Sequence, residues 1–204
     1  EKLICEKFVD LTEDENGALV DIKFKNTDSF NFGFDIVDEI ADKYPDKLAM
    51  LHLDVNKNER RFTFKDMKRA SNQVANYFAS LGIKKGDKVM LVLKRHYQFW
   101  FCMVALHKLG AVAIPATNQL KDHDFEYRYN AAGVKALVCT ADGDVSVEAE
   151  KAAENYPGMI KVLVGGKKEG WHDFNVEMER FSTHFERTGN TPCGNDPMLM
   201  LFTS

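Results

Sequence analysis

The chain has 204 residues, of which 45% are hydrophobic, so it can bury a sizeable core as one large domain or two small ones. Its formal net charge of −4 and its pI near 5.9 argue against a general nucleic-acid binder or a protein attracted to anionic membranes. No apolar run approaches the length of a membrane span, and no basic segment followed by an apolar one opens the chain as a signal peptide would.

The cysteines indicate a reducing compartment. There are four, and they lie far apart in the sequence without a CxxC pair, at Cys5, Cys102, Cys139 and Cys193. Since Cys102 and Cys139 sit inside apolar segments, we interpret all four as reduced thiols and predict a cytoplasmic protein.

The amino-terminal third combines a polar leader with short elements. Residues 1–30 are weakly patterned, and we predict a leader that packs on the surface. A helix with one apolar face follows from Asp35 and stops at Pro45, and then come two short strands, 49–53 and 61–64. The polar turn between these strands begins D-x-N-x-N like a calcium loop, but Glu59 stands where that loop requires Gly and Lys65 where it requires Glu, so we predict a hairpin turn without a metal.

Two features organise the middle of the chain. Thr63, followed three residues later by Asp66, resembles a capping box at the start of a long helix that ends at Gly82. The apolar run 89–93, a helix over 97–109 that ends at Gly110, and a second apolar run over 111–114 then predict a βαβ unit.

The alternation of helices and strands continues to residue 164. A helix from Asp122 to Gly133, a strand at 136–140, a helix that stops near Pro157 and a strand at 160–164 follow one another at short intervals. This pattern predicts an α/β subdomain over residues 31–165, with a mostly parallel sheet and helices on both faces. Ligands bind such sheets at the carboxyl ends of the strands. Here those ends carry 94–96 (Lys-Arg-His) and 116–119 (Ala-Thr-Asn-Gln), which fit an anionic ligand.

The last part, residues 166–204, departs from this rhythm. We predict a connection that leads into a new buried strand at 198–202, the first of a further subdomain. Because Thr203 and Ser204 follow that strand directly, with no turn or helix after it, we expect the chain to be a fragment of a longer protein.

Three segments in the correct order carry a family resemblance. The ending DPMLMLFTS resembles the approach to the phosphate-binding loop of the acyl-adenylate-forming (AMP-binding) enzymes, which include acyl-CoA synthetases, luciferases and peptide-synthetase adenylation domains. RFTFKDM at 61–67 and the stretch ALHKLGA through Pro115 are similar to two earlier motifs of that family. FNFGFDIVDE and PATNQLKDHDFEYR look most like the medium- and short-chain acyl-CoA synthetase branch. The resemblance implies that the fold is the amino-terminal portion of the large domain of such an enzyme.

The same resemblance implies an acid–thiol ligase that uses ATP, Mg²⁺ and coenzyme A on a small carboxylic acid. By motif match, Thr203 and Ser204 begin the cradle for the ATP phosphates. Gln119 matches a residue that contacts coenzyme A, with an exposed loop amide as the alternative. Arg95 is a candidate for a coenzyme A phosphate, with a solvated strand-end charge as the alternative. The family's catalytic lysine and acyl pocket have no counterpart in this stretch, so we expect the chain alone to be inactive.

Alternatives remain open from the sequence. The family also contains amino-acid-adenylating and luciferase-like enzymes, and a self-standing, non-catalytic α/β binding module would need no ligase chemistry. The acyl chain length cannot be inferred from these residues. We also expect that a sheet edge left uncovered would let the chain self-associate.

Overall fold

The computed structural model describes residues 3–203 and consists of helices and strands in alternation. The strands are β1 (Val9–Glu13), β2 (Leu19–Phe24), β3 (Leu48–Leu53), β4 (Glu59–Thr63), β5 (Lys88–Val92), β6 (Val112–Pro115), β7 (Val134–Thr140), β8 (Ile160–Val164) and β9 (His172–Asp173). The α-helices are α1 (Glu39–Lys43), α2 (Phe64–Ser80), α3 (Gln98–Leu109), α4 (Asp122–Ala132), α5 (Val145–Ala153) and α6 (Phe174–Glu177). A wider π-helical turn, Gly33–Asp38, precedes α1, and 3₁₀ turns lie at Ile4–Lys7 and Met178–Arg180.

The main sheet is parallel and has five strands in the order β6-β5-β7-β8-β9. Val89 in the central strand β5 pairs with Ala113 on one side and with Ala136 on the other. The connection from β5 through α3 to β6 is the predicted βαβ unit. The prediction of a parallel α/β sheet is confirmed.

Both faces of the sheet are covered by helices, as the uninterrupted apolar runs predicted. Val89 and Leu91 point into a core shared with α2 and α3, while Met90 and Val92 point into a second core with α4 and α5. All four side chains are completely buried. Alternate residues of one strand therefore hold the two helical layers on opposite sides.

Local signals start and stop the helices where the sequence predicted. At the start of α2 the Thr63 backbone N–H donates to Asp66 Oδ2 at 2.8 Å, and the Asp66 N–H donates to Thr63 Oγ1 at 3.2 Å. At the end of α3, Gly110 has φ 89°, and a Cβ there would lie 2.9 Å from Lys85 Cγ. Only glycine satisfies both the left-handed backbone and this close approach.

Two antiparallel hairpins stand outside the main sheet. β3 pairs with β4, and the turn between them is closed by the Asp54 carboxylate, which accepts from the N–H groups of Asn56 and Asn58 at 2.8 Å each. This is the predicted hairpin turn. β1 pairs with β2 within the predicted leader, and most of its side chains are exposed. The division of the chain at residues 30 and 165 stays a prediction.

The segment 198–202 corrects the expectation of a buried strand. It runs parallel to the outer edge of β6 and joins it by one bridge, Ala113 to Leu199. Met200 and Phe202 turn toward α4 and the core, but Met198, Leu199 and Leu201 are exposed. The reason is its position at the sheet edge, where no element among residues 3–203 covers its outer side.

The state of the cysteines and the character of the helices match what the sequence predicted, namely free thiols and no membrane span. The four thiols are unpaired: Cys102 and Cys139 are buried, Cys193 is partly buried and Cys5 is exposed. Burial raises the pKa of Cys139 to about 12, so this thiol is protonated and inert near neutral pH. Among the residues described, no helix combines the length and the apolar character needed to cross a membrane.

Candidate functional site at the carboxyl edge of the sheet

The parallel strands all end at one edge, which we call the carboxyl edge, and the loops that follow them meet there. The chain first passes from β5 to β6 on one side and then returns past β5 to β7 on the other. Doubly wound sheets bind ligands where the connections reverse in this way, which here is at the ends of β5 and β7. The strand order alone therefore gives the position of the candidate site.

A hydrogen-bonded cluster joins the ends of β5 and β7. His96 Nε2 lies 2.7 Å from Thr140 Oγ1 and 3.4 Å from Asp142 Oδ2, and the Asp142 N–H donates to Thr140 Oγ1 at 3.0 Å. Thr140 is completely buried. Burial lowers the pKa of His96, and the attraction of Asp142 offsets only part of this effect. The imidazole is thus neutral near pH 7, and it ties the two loops together.

Two cations at the same edge have no acidic partner in the described part of the chain. Lys94 and Arg95 both expose their side chains, and Lys94 adopts a left-handed backbone with φ 52°. The carbonyl of Arg95 lies 3.1 Å from His52 Nε2, which fixes the loop against β3. Strained backbone of this kind clusters at functional sites. These two charges are free to meet an anion.

A cleft of about 350 Å³ lies beside these cations, between the loop after β5 and the β3–β4 hairpin. Its aromatic wall includes Tyr97 and the half-exposed Trp100. Arg60 stacks over the Tyr97 ring at 5.4 Å and donates to the Tyr97 hydroxyl at 3.3 Å. The cleft thus combines positive charge with flat apolar surface, which suits a ligand that has an anionic group and a planar part.

The site residues predicted from the sequence lie on loops of this edge. Gln119 is exposed after β6; its N–H donates to Thr117 Oγ1 at 3.3 Å, and its side-chain amide has no hydrogen bond to residues 3–203. Thr203 is exposed at the end of the segment parallel to β6, so it lies toward the same edge. Ser204 lies outside the described residues. The roles of Gln119, Arg95, Thr203 and Ser204 in binding stay predictions.

The contribution of β7 to this edge was not predicted from the sequence. Thr140 and Asp142 directly follow a strand that the apolar pattern had identified, so the rule applied to the ends of β5 and β6 would have found them. His52 could not have been found this way because a hairpin distant in sequence brings it to the edge. Among residues 3–203, no group of three His, Cys, Asp or Glu side chains is placed to hold a metal ion.

This chain is similar to known proteins over most of its length. The profile of the AMP-binding enzyme family matches residues 37–204. The mitochondrial acyl-coenzyme A synthetase ACSM5 of Rattus norvegicus is 31% identical over 183 residues, which cover 86% of this chain and 31% of that protein. The mitochondrial acyl-coenzyme A synthetase ACSM2A of Homo sapiens is 30% identical over 171 residues, covering 79% of this chain and 29% of that protein.

A solved structure of an acyl-CoA synthetase has a similar fold. The crystal structure of an acyl-CoA synthetase from Brucella canis superposes with a TM-score of 0.74 at 25% identity, over 88% of this chain and 32% of that one. The chain spans about a third of the length of the relatives it matches. The family profile covers most of the chain and includes the three ordered segments on which the family resemblance rested. The chain therefore belongs to the AMP-binding enzyme family.

Proposed function

We propose that this chain is the amino-terminal part of an ATP-dependent acyl-CoA synthetase. The observation that carries the proposal is the match to the family profile, which runs from residue 37 to residue 204 and so includes the Thr-Ser ending. The two relatives named above are both acyl-coenzyme A synthetases by name, which favours this activity over amino-acid adenylation or a luciferase-like reaction.

The proposed reaction has two steps. A carboxylate oxygen of the acid attacks the α-phosphorus of ATP, and the bond to the leaving pyrophosphate breaks, which gives an acyl-adenylate. The sulfur of coenzyme A then attacks the acyl carbon, the bond to AMP breaks, and the thiol proton passes to solvent. The products are a thioester, AMP and pyrophosphate.

The residues at the carboxyl edge fit anionic substrates. In the proposal, Thr203 and Ser204 supply hydroxyl and backbone donors to the ATP phosphates, as the first part of a phosphate cradle. Gln119 contacts coenzyme A, and Arg95 pairs with one of its phosphates. The fit rests on the unpaired charges of Lys94 and Arg95 and on the free amide of Gln119. Mg²⁺ would be held mainly by the phosphate oxygens and would neutralise part of their charge.

Binding to the 204-residue chain tests the residue assignments. Titration calorimetry with coenzyme A should give weaker binding for Gln119→Ala and Arg95→Gln, with a loss of about tenfold for removal of one charge-assisted hydrogen bond. Arg69→Gln is the matched control because Arg69 is exposed on α2 and has no ion pair in the described chain. Equal losses in Arg69→Gln and Arg95→Gln would make the effect one of general charge and would remove Arg95 from the site.

The activity itself is tested on the protein encoded by the longer reading frame that we propose. Purified protein supplied with ATP, coenzyme A and a fatty, aromatic or amino acid should form a thioester and AMP, and Thr203→Val should lower that rate. We expect the 204-residue chain alone to give no ATP–pyrophosphate exchange. A reading frame without glycines and a lysine closely following Ser204 would refute the ligase assignment. The alternative, a non-catalytic α/β binding module, would then be favoured.

The compartment is also a proposal. We propose the cytoplasm; the four unpaired thiols fit any reducing compartment, and the names of the two relatives place those proteins in mitochondria. Cell fractionation with an antibody against this chain distinguishes the two locations.

A further inference from the structure

The β1–β2 hairpin has one apolar face and one polar face, and most side chains on both are exposed in the described part of the chain. The register pairs Val9 with Phe24 and Leu11 with Ile22, so these four side chains share one face, and a β-bulge opposite Thr12 and Glu13 leaves Val20 without a partner in β1. Phe24 is 72% exposed and Val20 66% exposed. Solvent-exposed apolar strands of this kind are templates for pairing with another chain.

The outer edge of β2 has backbone groups that do not bond to β1. The Lys25 N–H donates to the Phe8 carbonyl at 2.8 Å, so Phe8 and Lys25 form a hydrogen-bonded pair next to the Val9–Phe24 pair of the ladder. Since hydrogen-bonded pairs alternate along an antiparallel ladder, the N–H and C=O groups of Ile22 and Phe24 point away from β1. The Ile22 N–H accordingly bonds only to the neighbouring side chain, Asp21 Oδ1, at 2.9 Å.

The sequence of β2 is complementary to itself. An antiparallel pairing about a two-fold axis through Ile22 sets Ile22 opposite Ile22 of a second chain, Val20 opposite Phe24, and Asp21 opposite Lys23. The first two pairs are apolar, although Val20 lies at the β-bulge, and the third pair is oppositely charged and lies on the face opposite Ile22. In the described chain neither Asp21 nor Lys23 has an ion pair of its own. Both charges are therefore available to the second copy.

The hydrogen bonding agrees with this register. Residues that face each other across such an axis exchange both N–H···O=C bonds when their backbone groups point toward the partner. Ile22 meets this condition with its own copy when its N–H exchanges Asp21 Oδ1 for the Ile22 carbonyl of the second chain. The Asp21–Lys23 pairs then fall at non-hydrogen-bonded positions, where opposite side chains lie closest together.

The outer edge of β1 is not complementary to itself. A two-fold axis through Leu11 would set Val9 opposite Glu13 and Asp10 opposite Thr12, so it forms no opposite-charge pair. The 3₁₀ turn Ile4–Lys7 also packs beside β1. The complementarity is specific to β2.

We propose that the chain forms a symmetric dimer through the outer edge of β2, as a four-stranded sheet β1-β2-β2-β1 with paired Asp21 and Lys23 side chains. The contact is isologous, so it closes at two copies. This surface is separate from the carboxyl edge of the main sheet, and the proposal does not depend on the ligase activity.

Charge exchange tests the proposal by sedimentation velocity over a series of protein concentrations. Asp21→Lys or Lys23→Asp replaces both opposite-charge pairs of the dimer by like-charge pairs, and each should raise the dimer Kd by about tenfold or more. The double variant Asp21→Lys/Lys23→Asp restores the pairs and should recover the wild-type Kd. An equimolar mixture of the two single variants should form a heterodimer, since one chain then carries a lysine at both positions and the other carries an aspartate at both.

Proline substitutions provide matched backbone controls. Ile22→Pro removes an outward N–H and should abolish the dimer, whereas Leu11→Pro removes an outward N–H on the other edge and should leave it intact. Circular dichroism establishes that each variant keeps its fold. A wild-type chain that stays monomeric at all concentrations overturns the proposal. So does a dimer that does not respond to the charge exchange, which would instead indicate stacking of apolar faces.

Discussion

At the scale of single residues, Lys108 buries an ammonium group where the turn Gly33–Asp38 meets α2 and α3. Its Nζ donates to Asp38 Oδ1 and Asn72 Oδ1 at 2.7 Å each, and to Ser71 Oγ at 3.0 Å. Burial raises the pKa of Asp38 and lowers the pKa of Lys108, so desolvation opposes the pair. The pair therefore specifies the arrangement of three elements more than it stabilises them.

Removing one member of the Asp38–Lys108 pair should destabilise the fold far more than removing both members. Asp38→Asn leaves the ammonium group buried without a countercharge and should lower the free energy of unfolding by about 3–5 kcal/mol. The double variant Asp38→Asn/Lys108→Met should recover most of that loss because no buried ion remains. Urea unfolding at pH 7 measures both. A double variant as unstable as the single one would contradict this account.

At the scale of elements, Glu150 on α5 connects the last two strands of the sheet. Its carboxylate accepts from Trp171 Nε1 at 2.9 Å, from Lys161 Nζ at 3.1 Å and from Lys168 Nζ at 2.5 Å. Burial alone would raise the pKa of Glu150, but the hydrogen bonds from Lys168, Trp171 and Lys161 outweigh it and lower the pKa to about 2. This carboxylate fastens the segment before β9 to the body of the subdomain.

The lowered pKa predicts a stability contribution that acid removes. The folded-state pKa lies below the ordinary value of 4.5, so the contribution is complete above pH 4.5 and is lost as the pH falls toward about 2. The difference in free energy of unfolding between wild type and Glu150→Gln should shrink across this window. Glu154→Gln is the control because it removes a carboxylate without an ion pair near the end of the same helix. A difference that stays constant across the window would refute the assignment.

At the scale of the whole molecule, stability should be distributed unevenly. Val89, Met90 and Leu91 of β5 are completely buried between two helical layers, whereas the side chains of β2 are all exposed. The β1–β2 hairpin has little apolar contact with the rest of the described chain; beside its open end, the rings of Phe8 and Phe30 lie 4.9 Å apart.

Hydrogen exchange should separate the two regions. At protein concentrations low enough to keep the chain monomeric, amides of β5 and β7 should exchange only by global unfolding. Those of β1 and β2 should exchange by local opening at a much lower free energy. Equal protection of hairpin and sheet would indicate that the hairpin is part of the cooperative core.

Much of the fold was determined by the sequence alone. The apolar runs of β5 to β8, the Thr63–Asp66 box and the glycines after α3 and α4 are local signals, and each predicted an element in the correct place. The order of the motifs from Arg61 to Thr203 was enough to indicate the family. These features depend on neighbours within a few residues, so a single sequence reveals them.

The tertiary structure decided what depends on distant partners. Only the strand order places Thr140 and Asp142 beside His96, and only the edge position of 198–202 leaves Leu199 and Leu201 exposed where the apolar pattern predicted burial. The register of β1 with β2 likewise decides which edge of the hairpin is free. Apolar pattern predicts that a segment will pack, but strand order and register decide what it packs against, because both are set by contacts between residues far apart in the chain.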